Sequence, residues 1–144
     1  MHGSNQFTIA AIEARVFRVP IARPVQTSFG TMHSRPAVLV RAIDTKGVEG
    51  YGEIWCNFPS VGAEHRARFV RETIAPLLQG SSFDSPGDIW RSASRALEVL
   101  AIQSGEPGPV AQCLAGIDVA LYEIGLSIHG IDIIGVGHFE QHVR

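Results

Sequence analysis

Apolar and polar residues alternate along the first third of this chain and recur at helical spacing along the rest. From Thr8 to Val19, Ile12, Ala14 and Val16 fall on one face, and Glu13 and Arg15 on the other. β-Branched content favours a strand there. The alternation slips at Phe17 and Arg18, as a bulge near Phe17 would make it do. Pro20 and Pro24 end this first strand and open a polar loop, Ile21 to Pro36. A second strand covers Ala37 to Thr45. A turn follows at Asp44 to Gly47, with Gly47 supplying positive φ. The third strand is Gly50 to Cys56, and the short link makes the last two an antiparallel hairpin.

Helical spacing takes over after Pro59. Ser60 is the N-cap candidate, Val61, Phe69, Ile74, Leu77 and Leu78 mark one side, and Gly80 stops the helix. Ser85-Pro-Gly-Asp88 opens a second helix with an N-cap, a proline at the first helical position and an acid three residues on. Gln103 to Gly108 is a loop. Pro109 opens a third helix with Val110, Cys113, Leu114, Ile117, Leu121, Ile124 and Ile128 on one stripe, and Gly130 ends it. Strands first and helices after predict an α+β fold: a three-stranded antiparallel meander followed by a helical bundle. The expected core is Ile12, Val16, Val38, Val40, Ile43, Phe69, Ile74, Leu77, Trp90, Leu97, Leu114, Ile117 and Leu121.

Composition narrows the function. The net charge of −2 over 144 residues argues against nucleic acid, which needs a basic stripe. Eleven of the twelve basic residues are arginine, so Lys46 is the one lysine available as a base. Cys56 and Cys113 are isolated and read as reduced thiols. There is no basic-then-apolar leader, and no apolar run approaches the ~20 residues a membrane helix needs. The expected location is the cytoplasm, with no membrane partner.

Several strings, in order, resemble the N-terminal capping domain of the enolase superfamily, in its mandelate racemase/muconate lactonizing branch. They are Gly47-Val-Glu-Gly-Tyr-Gly-Glu53, Ile74-Ala-Pro-Leu-Leu78 and Ala115-Gly-Ile-Asp-Val-Ala-Leu-Tyr-Glu123. Gly130-Ile-Asp-Ile-Ile134 is similar to the family's exit string, with Asp132 where proline is usual. The resemblance implies a capping domain over residues 1–134 and an irregular tail over 135–144. It implies a Mg²⁺-assisted removal of the proton α to a carboxylate, performed in relatives by a barrel with acidic ligands and a Lys or His base. No such ligands, and no Lys-x-Lys, can be found here. The expectation is a truncated or split protein with no catalytic residue, metal ligand or cofactor of its own. Its partner would be a barrel on a separate chain or a second copy of itself, because the barrel-facing apolar surface would otherwise meet water. The other reading is a stand-alone interaction or oligomerisation module derived from such an enzyme.

The same resemblance implies two loops that reach over a barrel mouth and select among small carboxylic acids. They map to Arg23–His33 and Trp55–Val61. Thr27, Ser28 and Asn57 can hydrogen-bond a substrate there, Arg23 and His33 can meet a carboxylate, and Phe29, Trp55 and Phe58 can exclude water. The loop chemistry leans towards an acid sugar. The plainer alternative is that Phe29 and Phe58 cover strand ends.

Other motifs weigh less. His138 and His142 have i,i+4 spacing, but the zincin order is absent and a polar tail suffices. Ile131 to Gly137 looks like a strand with G-x-G but lacks a third glycine and a following helix. Gly47, Gly50 and Gly52 are hairpin glycines. Arg66, Arg68 and Arg71 among Glu64 and Glu72 read as a solvated helix face. Asp118 and Glu123 are expected to cap or bridge elements. Ser28 and Ser60 have no His–acid pair beside them.

Overall fold

A computed structural model describes residues 6–59, 61–128 and 130. Strands β1 (Phe7–Thr27), β2 (Gly30–Asp44) and β3 (Glu49–Ile54) come first. Helix α1 (Gly62–Phe69) runs through a π turn (Val70–Ile74) into α2 (Ala75–Leu78). A short β4 (Ser82–Phe83) precedes helices α3 (Pro86–Ser104) and α4 (Pro107–Ile128). The sheet order is β3-β2-β1-β4, antiparallel throughout. The α+β architecture follows the sequence pattern, with four strands in place of three. β4 pairs only Ser82 and Phe83 with Thr8 and Phe7, too short to leave an alternating signature.

The largest departure is the predicted loop from Ile21 to Pro36. β1 continues to Thr27 and β2 starts at Gly30, so most of this segment is a two-stranded ribbon. Most of its side chains are exposed. On the β1 side no residue from Arg18 to Thr27 is buried, so the alternation that marks a strand fades there while the ladder goes on; on the β2 side Met32 and Pro36 stay buried. No bulge sits at Phe17, which pairs in register with Ala37. The irregularities lie between Ile9 and Ala11 and between Pro20 and Val25.

The turn at Asp44 forms as its residues dictate. Asp44 Oδ1 accepts the N–H groups of Lys46 and Val48, both at 2.8 Å. Gly47 adopts φ +81°, a conformation costly for a residue with a Cβ.

The helices cover one face of the sheet. Ile12 and Ala14 from β1, Val38 and Val40 from β2 and Ile54 from β3 are buried against Val70, Ile74, Ile117, Leu121 and Ile124. Ile43 is not part of that layer. It is half-buried on the opposite face, since Ala42 and Asp44 point inward. Val16 and Phe69 pack on the rim of the core. Leu77 and Trp90 are exposed, and their neighbours Leu78 and Ile89 take the buried positions.

The π turn ends just before Pro76. Proline lacks the N–H for a regular bond to residue 72 and its ring crowds that carbonyl, so the helix widens instead of breaking. The widened turn rotates the face that follows it. The buried stripe of α1 is Gly62, Ala63, Arg66 and Ala67, and Val61 is exposed. The Ser60 cap lies outside the described residues.

Ser85 caps α3 as its sequence indicates. Its backbone is extended (φ −153°, ψ 156°) and its Oγ accepts the Asp88 N–H at 3.3 Å. α4 begins two residues before the expected Pro109. It is long and apolar enough to cross a membrane by length and composition, at a mean hydropathy of 1.3, against the expectation that no run would be. Its apolar stripe is packed on the sheet. Gly130 closes it at φ +74°, its N–H donating to the Ser127 carbonyl at 3.0 Å. The exit string beyond Gly130, the 135–144 tail and the His138/His142 and Gly135/Gly137 motifs lie outside the described residues.

Candidate functional site at the hairpin end

The contact between β3 and α4 fixes one end of the molecule. A Cβ on Gly52 would lie 2.0 Å from the Gly116 carbonyl oxygen, and one on Gly50 would lie 1.9 Å from that of Ala120. Only glycine allows strand and helix this close. The Tyr51 N–H, on the sheet's edge strand, donates to Glu123 Oε2 of α4 at 2.5 Å. Glu123 thus bridges two elements, as expected. Asp118 makes no hydrogen bond or ion pair among the described residues, and burial raises its carboxyl above the ordinary range.

The other end carries both candidate loops. The tip of the β1–β2 hairpin is the two-residue turn Ser28-Phe29. Thr27 Oγ1 donates to the Gly30 carbonyl at 2.8 Å and accepts the Phe29 N–H at 3.2 Å. The Thr27 hydroxyl is therefore committed to holding the turn. Ser28 is exposed, and Phe29 is 82% exposed.

Between the pairs Pro20–Ser34 and Val25–Met32, four β1 residues stand against one β2 residue, His33. Pro20 and Pro24 frame this bulge. Proline donates no ladder hydrogen bond, which suits it to such a place. Arg23 and His33 thus come to the same level of the ribbon. Both are exposed, and neither forms an ion pair among the described residues.

The loop after β3 meets the hairpin tip through one ring contact. Phe29 and Phe58 have centroids 5.7 Å apart at an interplanar angle of 48°, a tilted geometry that aromatic pairs favour. Phe58 and Asn57 are half-buried, while Trp55 is 52% exposed. The structure thus joins the two segments through their aromatics, and puts Arg23 and His33 further down the ribbon.

Two arginines not counted among the site residues position the second loop. Arg66 was expected on a solvated face, yet it is 3% exposed. Its Nη1 donates to the Gly62 carbonyl at 2.9 Å, and its Nε and Nη2 donate to Gln112 Oε1 at 2.8 and 2.6 Å. It ties the start of α1 to α4. The readable signal was the small-residue stripe of Gly62, Ala63 and Ala67, which leaves room for a long side chain to lie flat. Arg68 behaves as expected, pairing with Glu72 at the surface at 3.1 Å. Arg71 reaches across to the Ala14 carbonyl at 3.0 Å. Arg18 grips Glu64 with two hydrogen bonds, at 2.8 and 2.6 Å. The fork raises the Arg18 pKa and holds the Glu64 carboxyl below its usual range. It fastens β1 to α1 beside the second loop.

These groups can bind and enclose more readily than they can react. Burial pushes the Cys113 thiol up to about 12 and raises that of Cys56, so neither is a thiolate at neutral pH. Among the described residues no three His, Cys, Asp or Glu side chains come together as a metal needs. The described residues therefore do not fit Mg²⁺.

Comparison with known proteins places this geometry. Residues 11–134 match the N-terminal domain of mandelate racemase / muconate lactonizing enzyme. A chloromuconate cycloisomerase of Cupriavidus necator is 30% identical over 130 residues, covering 88% of this chain and 33% of that protein. A mandelate racemase/muconate lactonizing enzyme from Bordetella bronchiseptica RB50 superposes with a TM-score of 0.77 at 45% identity, over 87% of this chain and 31% of that one. An enolase from Bradyrhizobium, solved with magnesium and mandelic acid, shares the fold at a TM-score of 0.70 and 24% identity, over 90% of this chain and 34% of that one. The chain spans about a third of the length of the curated relatives it matches. It belongs to the mandelate racemase / muconate lactonizing enzyme family, whose N-terminal domain it carries.

Proposed function

We propose that this chain is the substrate-capping element of an enzyme that removes the proton α to a carboxylate with Mg²⁺ assistance, and that alone it is no catalyst. The observation that supports this is the Phe29–Phe58 contact, which unites the hairpin tip and the β3–α1 loop into one aromatic surface. Phe29 and Trp55 leave much of that surface open to whatever lies opposite. An aromatic rim excludes water around a reacting carboxylate, which strengthens the electrostatics of the centre it covers. With the Thr27 hydroxyl occupied by the turn, the surface suits an acid with an apolar or aromatic body better than an acid sugar. Arg23 and His33, further down the ribbon, lie apart from this surface and are not assigned to the carboxylate. Muconate and chloromuconate cycloisomerases are among the curated relatives that match, in keeping with this choice.

The test has two arms. The purified chain, given Mg²⁺ and mandelate or chloromuconate in deuterated buffer, is expected to exchange no α-proton. Calorimetry is expected to find no stoichiometric micromolar Mg²⁺ site. Supplied with the separately expressed barrel region of the Bordetella bronchiseptica relative, the same chain is expected to restore turnover, faster for aromatic or unsaturated acids than for sugar acids. Exchange by the chain alone, or reconstitution that is indifferent to Phe29→Ala, would overturn the reading. A second reading, a stand-alone interaction module, draws on the exposed apolar face of α3 and α4.

A further inference from the structure

Three consecutive residues near the start of α1 fasten it in three directions. Glu64 meets Arg18 of β1, His65 hydrogen-bonds Glu106 just before α4, and Arg66 meets Gln112 of α4. The helix depends on such ties, because its N-cap residue, Val61, has no side-chain acceptor for the first N–H groups. Two of the ties lie at the surface, where solvent weakens them. The third does not, since Arg66 is 3% exposed.

Arg66 also differs in chemistry from the paired arginines. Arg18, Arg41, Arg68 and Arg91 each meet a carboxylate, and each is partly exposed. Arg66 forms no ion pair among the described residues, and its acceptors there are the neutral Gln112 amide and the Gly62 carbonyl. A buried cation without a carboxylate is a poor device for stability, since an apolar side chain of similar volume packs as well without the desolvation cost. What the guanidinium supplies is a planar fork that spans two elements at once.

One arm of the fork reaches the second loop. Arg66 Nη1 donates to the Gly62 carbonyl at 2.9 Å, and the Gly62 N–H donates to the Pro59 carbonyl at 2.7 Å. A Cβ on Gly62 would lie 2.6 Å from Nη1 and 3.3 Å from Pro59 Cδ, so guanidinium, glycine and proline ring are stacked without a gap. Pro59 follows Phe58, whose ring meets Phe29. Contacts thus run unbroken from Gln112 on α4 to the aromatic surface. We infer that Arg66 is a specificity-setting positioning residue: with Gln112 as its anchor, it transmits the position of α4 to Phe58 and so sets the Phe29–Phe58 contact that faces the body of the substrate. Its effect on substrate rests on the capping reading above, whereas the positioning itself is a property of this chain.

Fluorine NMR of the chain carrying 4-fluorophenylalanine reads the contact directly. Each of the seven phenylalanines gives a signal, and those of Phe29 and Phe58 are assigned by replacing each with leucine. Arg66→Met, Arg66→Lys and Gln112→Ala are each expected to move both signals towards the values they take when the other ring is absent. The signal of Phe7, buried in the core, is expected to stay in place. Lysine keeps the charge but has no fork, so its failure separates geometry from charge. Gln112→Glu, whose carboxylate accepts the same fork, is expected to keep both signals at their wild-type positions. In the enzyme reconstituted with the barrel region, Arg66→Met and Gln112→Ala are expected to raise KM for mandelate several-fold with kcat nearly unchanged, and Gln112→Glu to leave both alone. Gln112 is only half-buried, so its alanine variant keeps the test open even where Arg66→Met fails to fold. Unmoved Phe29 and Phe58 signals in folded Gln112→Ala would overturn the proposal. Signals that move while KM for mandelate stays at the wild-type value would uphold the positioning and overturn the capping reading instead.

Discussion

The two ends of the sheet are built on opposite terms. Where α4 crosses β3, backbone meets backbone: Gly50 and Gly52 admit the Ala120 and Gly116 carbonyls, and Glu123 takes the Tyr51 N–H. At the hairpin end, side chains reach outward, with Phe29 82% and Trp55 52% exposed. The first end holds the domain together and leaves nothing for a ligand to contact. The second contributes little to holding the domain and presents most of its surface. Substitutions at the two ends should therefore separate cleanly into losses of stability and losses of the proposed capping.

Gly52→Ala tests the first half of that contrast and carries the largest expected effect. The added methyl would sit 2.0 Å from a backbone oxygen, and neither strand nor helix is a flexible side chain that could step aside. Overpacking of this kind costs about 3 kcal/mol or more. Urea unfolding followed by circular dichroism is expected to show that loss. A change under about 1 kcal/mol would mean that α4 rides on β3 more loosely than the geometry implies.

The strings that reveal the family reflect this interlock. Gly50, Gly52, Gly116, Ala120 and Glu123 all fall within Gly47–Glu53 or Ala115–Glu123, so the residues legible in sequence are those that let β3 and α4 touch. The Asp44 turn and the Ser85 cap were readable for a similar reason, since each is a local hydrogen-bonding device closed over a few consecutive residues. What escaped reading was set by distant contacts. The ribbon from Arg18 to Thr27 is held by ladder bonds, without a buried face to impose a pattern. Arg66 is buried because Gln112, 46 positions away, accepts two of its bonds. Leu77 was assigned to the core from a helical period that the π turn before Pro76 then interrupts. For the candidate site, the two loop segments could be named from the resemblance. Their junction through Phe29 and Phe58, and the Arg23–His33 bulge, depend on a strand register that no local signal encodes.

Between the two ends stands the Arg18–Glu64 fork, whose effect should be intermediate. Its side chains are 36% and 54% exposed, so solvent screening holds its worth to roughly 0.5–1 kcal/mol despite the two hydrogen bonds. The pairing depresses the Glu64 pKa. Over the acid range the unfolded chain therefore binds more protons at this site than the folded one. The stabilisation is present above the ordinary glutamate pKa of 4.5 and is lost as pH falls through the depressed folded value. Glu64→Gln is expected to lower the urea midpoint at pH 7, with the gap to wild type closing as pH falls from 4.5 through the depressed folded value. A gap that persists once the wild-type carboxyl is protonated would show that the contribution is packing and not charge.

Phe29→Ala has the smallest expected effect on stability and sharpens the contrast most. The ring is in water on nearly every side and touches Phe58 at a centroid distance of 5.7 Å. Little apolar area is buried, so the transfer contribution is small, and an exposed aromatic contact adds ~0.5 kcal/mol. The turn itself is held by Thr27 and by the Phe29 N–H, both of which alanine keeps. The expected change in unfolding free energy is therefore within about 0.5 kcal/mol. In the enzyme reconstituted with a barrel, the same substitution removes the outermost ring of the aromatic surface and opens it to water. KM for an aromatic acid is expected to rise several-fold, with little change for a sugar acid. Loss of stability above about 1 kcal/mol would reassign Phe29 to covering the strand ends. An unchanged KM with intact folding would remove the hairpin tip from the substrate surface and leave Trp55 and Phe58 as the residues to examine next.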